Sequence, residues 1–374
     1  MPEPHVPSNP LAALAAAGQS PWLDQLRREW LADGTLARWI AEDDLRGVTS
    51  NPAIFQAAVA DSAAYDAQIG ALAADGLDPA AIYDAVTLQD IRAACDVFRP
   101  VWERTGGLDG YISHEVAPSL ADDTAGTVAE ARRLWAAVDR PNVMIKIPAT
   151  CAGIPAIRAC LTDGINVNIT LMFSLCHYDA VADAYLDALE RREHDGLPID
   201  SIASVASFFV SRVDTWVDDR LDKLAADGVD VAHLRGQAAV ANAKRAYRRF
   251  QDVFGSTRFA RLARHGARVQ RVLWASTSAK DPAYDDLKYV TPLIGSDTVN
   301  TLPLATYEAF RDHGRVARTI DADVAAADAV VARLATLGID LEAVGEDLSH
   351  QGVAKFAAAQ AAVVATVGRK TVGG

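Results

Sequence analysis

Short apolar runs recur along the chain, each followed by a longer stretch whose apolar and charged positions repeat with helical spacing. The runs at 22–24, 47–50, 110–115, 143–148, 167–173, 202–209, 272–276 and 298–302 predict β-strands. The spacing predicts helices over 124–138, 175–192, 212–226 and 231–254. The first of these has Asp122, Asp123 and Thr124 as N-cap candidates. Strand-then-helix order throughout predicts parallel strands joined by helical crossovers. About eight such units in 374 residues favour a closed (β/α)8 TIM barrel with additional helices over an open sheet. No repeat or low-complexity linker divides the chain, so residues 1–374 are expected to form one domain with an N-terminal arm over 1–20. Extra helical segments are expected over 51–109. An alanine-rich helical segment over 322–374, broken near 338–345, is expected to pack outside the barrel, with a frayed tail from 368.

Composition narrows the class. Half the residues are hydrophobic and 23% are charged, which excludes a disordered or collagen-like chain. With 36 Lys and Arg against 49 Asp and Glu, the net charge is −13. That argues against nucleic-acid and anionic-membrane partners, yet a local basic pocket can still hold a small anion. No apolar run has the length of a membrane span, and the N-terminus lacks the pattern of a signal peptide. Cys95, Cys151, Cys160 and Cys176 fit neither a disulfide framework nor a zinc site, so a cytoplasmic location is expected. His114 and His177 have no partners at metal-ligand spacing, and no metal is expected. The glycine patterns match neither a P-loop nor a dinucleotide fingerprint, and no Gly-x-Ser-x-Gly elbow occurs.

The chemistry is suggested by polar residues where strands should be apolar. Asp24, Thr49-Ser50-Asn51, Glu115, Lys146, Asn166, Asn168, Thr170, Ser204, Ser207, Ser276-Thr277 and Asn300 all punctuate strand candidates. In a (β/α)8 enzyme the site is built at the C-terminal strand ends, so these residues would converge there. Lys146 interrupts a Val-Met-Ile run. Burying an ammonium is costly, and a neutral lysine amine is a nucleophile for a carbonyl carbon, giving a carbinolamine and then a Schiff base. Against this stands a lysine that snorkels to solvent or pairs with a carboxylate. Asp24 and Glu115 suit acid/base roles; otherwise Asp24 is a helix N-cap and Glu115 a surface ion pair. Asn51 suits hydroxyl binding or a turn before Pro52. Asn168 and Thr170 share one strand face, as substrate contacts or as a structural polar network. Ser207, Arg212, Ser276 and Lys280 suit a phosphate; alternatively Arg212 pairs with Asp214 or Asp218 along its helix.

Together these residues resemble transaldolase, in its longer bacterial form. The matching segments are Trp22-Leu23-Asp24, Gly47-Val48-Thr49-Ser50-Asn51-Pro52, Ser113-His114-Glu115 and Met144-Ile145-Lys146-Ile147-Pro148. They continue in Asn166-Val167-Asn168-Ile169-Thr170, Ser207-Phe208-Phe209-Val210-Ser211-Arg212 and Trp274-Ala275-Ser276-Thr277, in order from about residue 11 to about 365. The resemblance implies a class I aldolase barrel without cofactor. A ketose phosphate, sedoheptulose 7-phosphate or fructose 6-phosphate, would form a Schiff base with Lys146. Its dihydroxyacetone unit would pass to glyceraldehyde 3-phosphate or erythrose 4-phosphate, in the non-oxidative pentose phosphate pathway. It further implies Asp24 as the acid/base for carbon–carbon cleavage and Glu115 as a proton shuttle through a water held by Thr170. Asn51 and Asn168 would bind the dihydroxyacetone hydroxyls, Phe209 would wall the lysine, and Ser207, Arg212 and Ser276 would contact substrate and phosphate. An arginine that shorter relatives carry after Ser276 is absent, and Lys280 is the nearest basic residue. Cys151 and Cys176 stand where polar residues are expected. A monomer or homodimer is expected.

The alternative on the same barrel is a lyase that cleaves fructose 6-phosphate to free dihydroxyacetone. A glycoside hydrolase using Asp24 and Glu115 would leave Lys146 without a role. A silent sugar-phosphate sensor would leave every reactive position unexplained.

Overall fold

In a computed structural model of the chain, which describes residues 9–372, the strands are β1 (Gln19–Leu23), β2 (Gly47–Thr49), β3 (Tyr111–Glu115), β4 (Val143–Pro148), β5 (Val167–Met172), β6 (Ser204–Phe209), β7 (Arg271–Ala275) and β8 (Thr298–Leu302). All are parallel, each pairs with its sequence neighbours, and β1 closes on β8 through Gln19↔Thr298 to Leu23↔Leu302. This is the expected (β/α)8 TIM barrel. The strands are buried along their length because helices cover the outside and side chains fill the inside.

Several boundaries differ from the sequence reading, each for a physical reason. β1 starts at Gln19, inside the expected arm over 1–20. Its first residues are polar, but the barrel floor gives them partners: Gln19 Nε2 donates to Leu293 O and Thr298 Oγ1, and Ser20 donates to Asp109, while Gln19 Oε1 has none among the described residues. Of the rest of that arm, Pro10–Ala16 is a helix that buries Leu11 and Leu14, and residues 1–8 lie outside the described residues. The helix expected over 231–254 is broken. A short 3-10 turn, Ala232–Leu234, precedes Ala238–Phe254, and Gly236 lies between them at φ +65° with its N–H on Asp218. The helix over 124–138 forms as expected, with Asp123 as its N-cap.

The largest departure is at the C-terminus. The break falls at 337–340, and Leu341–Val372 is one continuous helix. It does not pack outside the barrel. It crosses the C-terminal mouth, touching β5, helix Ser211–Ala226 and the inserted helices Pro52–Ala60 and Pro79–Arg104. Two glycines permit the close approach. A Cβ on Gly345 would lie 2.6 Å from Ser174 Cβ, and one on Gly352 would lie 2.6 Å from Leu171 Cδ2. Toward its end, Val363 and Val367 join Val59, Tyr65, Ile69, Ile82 and Val86 in a second apolar cluster that anchors the helix. The expected frayed tail from 368 is helical through Val372, and residues 373–374 lie outside the described residues.

Candidate active site

Seven of the eight strands deliver a side chain to one cavity of about 140 Å³ at the mouth, and β3 sets Glu115 beside Lys146 just outside its lining. Asp24 follows β1, Thr49 ends β2, Lys146 lies in β4 and Thr170 in β5. Ser207 and Phe209 lie in β6, Ser276 follows β7, and Thr301 lies in β8. Arg212, Lys280 and Asn51 complete the polar wall. The volume is that of about four or five waters, which suits a small polar unit.

Register places the reactive groups side by side. Glu115 is opposite Lys146 across β3 and β4, and Lys146 is opposite Asn168 across β4 and β5. Residues level in neighbouring parallel strands point to the same face, here the barrel interior. Lys146 is 4% exposed, so it does not snorkel. Its Nζ donates to the Ser50 carbonyl at 3.2 Å and lies 3.4 Å from Glu115 Oε2. The Phe356 ring, from the C-terminal helix, lies 5.6 Å above it.

The two carboxyls are in different environments. Burial pushes Glu115 up to about 7, against the pull of Lys146. Its Oε2 receives no hydrogen bond from protein, and neither does Thr170 Oγ1, although both are buried. Each is a buried polar atom that an ordered water would satisfy. Asp24 is neither an N-cap nor isolated: Thr49 Oγ1 donates to its Oδ1 at 2.6 Å, and Thr301 Oγ1 is 2.6 Å from Thr49 Oγ1. Burial raises the Asp24 pKa, opposed by Lys146, Thr49, Arg212 and Lys280. A raised pKa makes a carboxylate a stronger base than one in water, which suits a group that takes and returns a proton.

The remaining expectations divide. Asn51 caps Pro52–Ala60, its Oδ1 accepting from Ala53 and Ile54 N–H, which leaves its amide Nδ2 for a ligand. Asn168 does not line the cavity. Its Nδ2 donates to Ser113 Oγ at 2.9 Å and its Oδ1 accepts from Ser207 at 2.6 Å, so it forms a polar network across the barrel interior. Arg212 does not pair along its helix. Asp214 instead accepts from Ala239 N–H and Tyr289, Asp218 accepts from Gly236 N–H and Tyr284, and the guanidinium stacks on Phe209 at 5.4 Å. Ser276, at φ +56°, exchanges a 3.0 Å hydrogen bond with Ser211 and turns the chain toward Lys280. Asn166 and Ser204 do not reach the mouth; they sit at the N-terminal ends of β5 and β6 and bond to backbone there. Asn300 accepts from Thr277, and the eighth strand's contribution to the cavity is Thr301.

Sequence reasoning missed Thr301 and, more consequentially, Phe356. One signal pointed to it: isolated glycines inside a long helical pattern, at 345 and 352, mark a close approach on that face. Cys151 and Cys176 are exposed, Cys95 and Cys160 are buried, and all four are free. Among the described residues there is no cluster of three or more His, Cys, Asp or Glu placed to hold a metal, and no helix long and apolar enough to cross a membrane.

A family model described as transaldolase/fructose-6-phosphate aldolase matches residues 21–367. Three bacterial proteins named transaldolase are similar over nearly their whole length. That of Mycolicibacterium smegmatis is 50% identical over 92% of this chain and 93% of its own. That of Acidothermus cellulolyticus is 49% identical over 97% of each. That of Thermobifida fusca is 50% identical over 93% of this chain and 94% of its own.

Proposed function

We propose that this chain, which belongs to the transaldolase/fructose-6-phosphate aldolase family, is a transaldolase that moves a dihydroxyacetone unit between sugar phosphates through a Schiff base on Lys146. The observation that carries the reading is a buried lysine amine in the cavity at the barrel mouth, between the Glu115 carboxyl and the Ser50 carbonyl. In the first half-reaction the Lys146 amine adds to the C2 carbonyl of sedoheptulose 7-phosphate or fructose 6-phosphate. The carbinolamine loses water, with Glu115 shuttling protons through a water that Thr170 helps hold. Asp24 then takes the proton of the C4 hydroxyl, the C3–C4 bond breaks, and its electrons flow into the iminium. An aldose phosphate leaves, and an enamine of dihydroxyacetone stays on Lys146. In the second half-reaction the enamine carbon adds to the aldehyde of glyceraldehyde 3-phosphate or erythrose 4-phosphate. Asp24 returns its proton to the new hydroxyl, and water releases the product ketose. Asn51 and Ser207 would hold the hydroxyls of the three-carbon unit, with Asn168 fixing Ser207 from below. Phe209 would wall the lysine, and Arg212, Ser276 and Lys280 would hold the phosphate.

A lyase would protonate the enamine at once. The Phe356 ring, 5.6 Å from Lys146 Nζ, supports transfer, because an apolar wall beside the amine disfavours water there. A glycoside hydrolase reading loses its basis, since Glu115 is committed to Lys146. The free cysteines suit a reducing cytoplasm.

The test is borohydride trapping with fructose 6-phosphate, read by peptide mass. A dihydroxyacetone adduct is expected on Lys146, and none in Lys146→Ala, whose turnover should fall by about 10⁴-fold or more. Erythrose 4-phosphate should discharge the unreduced intermediate to sedoheptulose 7-phosphate. Release of free dihydroxyacetone without an acceptor would instead establish the lyase.

A further inference from the structure

Three cations, Arg212, Lys280 and Lys355, make no ion pair with any described residue, and the Asp24 carboxyl in the cavity attracts the first two only from beyond ion-pair distance. Arg212 stacks on Phe209 and has no carboxylate within ion-pair distance among the described residues. Lys280 donates to Ser278 Oγ at 2.5 Å and to nothing else described. Lys355 stands exposed on the C-terminal helix, with neither a hydrogen bond nor an ion pair to any described residue. Many cations elsewhere are paired, as where Arg133 meets Asp84 and Glu130, or where Arg258 meets Asp183, Asp187 and Glu190, although some surface arginines, such as Arg220 and Arg315, also stand without a carboxylate. What sets Arg212 and Lys280 apart is that both line one cavity, in a chain of net charge −13. Like charges held together raise the free energy of the empty site, and Lys280 registers this. Burial first, then Arg212 and Lys355, push its pKa down. An arriving dianion relieves that repulsion.

Helix geometry explains how Lys355 reaches this position. Taking about 100° per residue, Gly345, Gly352 and Phe356 fall within about 40° of one another, on the face turned to Ser174, Leu171 and Lys146. Ala361, Val364 and Gly368 lie on one flank of that face and line a separate, mainly apolar cavity of about 770 Å³ behind Glu115. Lys355 falls about 60° to the other side of Gly352, on the flank away from that apolar cavity, and the C-terminal helix also touches Ser211–Ala226, the helix that carries Arg212.

We propose that Lys355 is a third ligand of the substrate phosphate, brought across the mouth by the C-terminal helix, and that it sets the preference for phosphorylated over neutral sugars. The proposal rests on the sugar-phosphate reading above. A phosphate has three terminal oxygens, and two cations from the barrel wall with one from above would share them. Donor and acceptor phosphates take the same place in turn in a ping-pong reaction, so one residue serves both.

The test compares the full-length parent with Lys355→Met, which keeps the apolar stem, and Lys355→Arg, which keeps the charge. Binding of inorganic phosphate alone is measured by calorimetry, and KM and kcat are measured for fructose 6-phosphate and erythrose 4-phosphate. For Lys355→Met, phosphate affinity should fall and both KM values should rise by about three- to tenfold, with kcat within about twofold. The defect should shrink with added salt and be largely rescued in Lys355→Arg. Unchanged phosphate affinity and KM in Lys355→Met would overturn the proposal. So would a fall in kcat and melting temperature at constant KM, which would make Lys355 a helix-docking residue. Phosphate binding by the parent without turnover of either sugar would count against the transaldolase reading, while the calorimetric comparison would still decide the role of Lys355.

Discussion

At the N-terminal pole of the barrel, Asp109 is fully buried and surrounded by donors. Arg271 Nη2 lies at 2.8 Å, Ser20 Oγ at 2.8 Å, Trp22 Nε1 at 3.3 Å and Arg46 Nη1 at 3.4 Å. At the C-terminal pole, the Glu115 side chain is nearly as dry, but its ion-pair partner is Lys146 at 3.4 Å, and its Oε2 takes no hydrogen bond. Burial raises both carboxyls, but at the floor two guanidiniums and the hydrogen bonds outweigh it and hold Asp109 below its usual range. At the mouth burial prevails and Glu115 rises to about 7. The difference is one of opposing charges and hydrogen bonds and not of depth. A buried charge with all its lone pairs satisfied is a structural joint. One left short of partners is free to exchange its proton.

The strongest test of this contrast is Glu115→Gln, which keeps the shape of the side chain and removes its acid/base capacity. Turnover should fall by about 10²- to 10⁴-fold, and the limb of the pH–rate profile near 7 should disappear. Stability carries a second signature. A carboxyl whose pKa is raised on folding binds more protons folded than unfolded, so stability falls as pH rises between its unfolded value, about 4.3, and about 7. Urea titrations should show the parent losing about 1–3 kcal/mol across that window and Glu115→Gln losing much less. A parallel slope in the two proteins would mean that Glu115 is ionised in the folded state well below pH 7.

Asp109→Asn should do the opposite. It leaves Arg271 buried without its counter-charge and should cost about 3–5 kcal/mol of stability, read by chemical unfolding, while kcat per folded molecule stays at the parental value. The sign with pH is also reversed. A depressed carboxyl contributes stability above its unfolded pKa, and that stability is lost as pH falls through the folded one, so the parent and the variant should converge in acid. The smallest effect is expected at Phe356→Ala, which uncovers Lys146. A few-fold loss of kcat, up to about tenfold, is expected, together with more free dihydroxyacetone released per turnover. Unchanged partitioning between transfer and hydrolysis would show that the ring does not exclude water.

The two poles also differ in how far they could be read from the chain. Lys146 was legible because it interrupts an apolar run, and Glu115 because it ends a strand. Asp109 was not legible: it stands in a Gly-Leu-Asp-Gly stretch that reads as a turn, and its partners Ser20, Arg46 and Arg271 are remote in sequence. Asn166 and Asn168 look alike locally, two residues apart on one strand face. Height along β5 separates them, and Asn166 bonds at the floor while Asn168 ties Ser113 to Ser207. Asn300 and Thr301 present the same problem by direction, since neighbouring residues of a strand point to opposite faces.

Alternating apolar runs and amphipathic segments determined the eight parallel strands and their order. Side-chain period and the right-handed crossover between parallel strands leave few other ways to bury such a pattern. The same chain, read for polar interruptions, determined which strands carry chemistry. The tertiary structure alone decided that the last helix lies over the mouth, placing Phe356 above Lys146 and Lys355 on its flank. An alanine-rich helix with glycines on one face states that it packs closely. What it packs against depends on contacts hundreds of residues away, here Leu171, Ser174 and the inserted helices between β2 and β3.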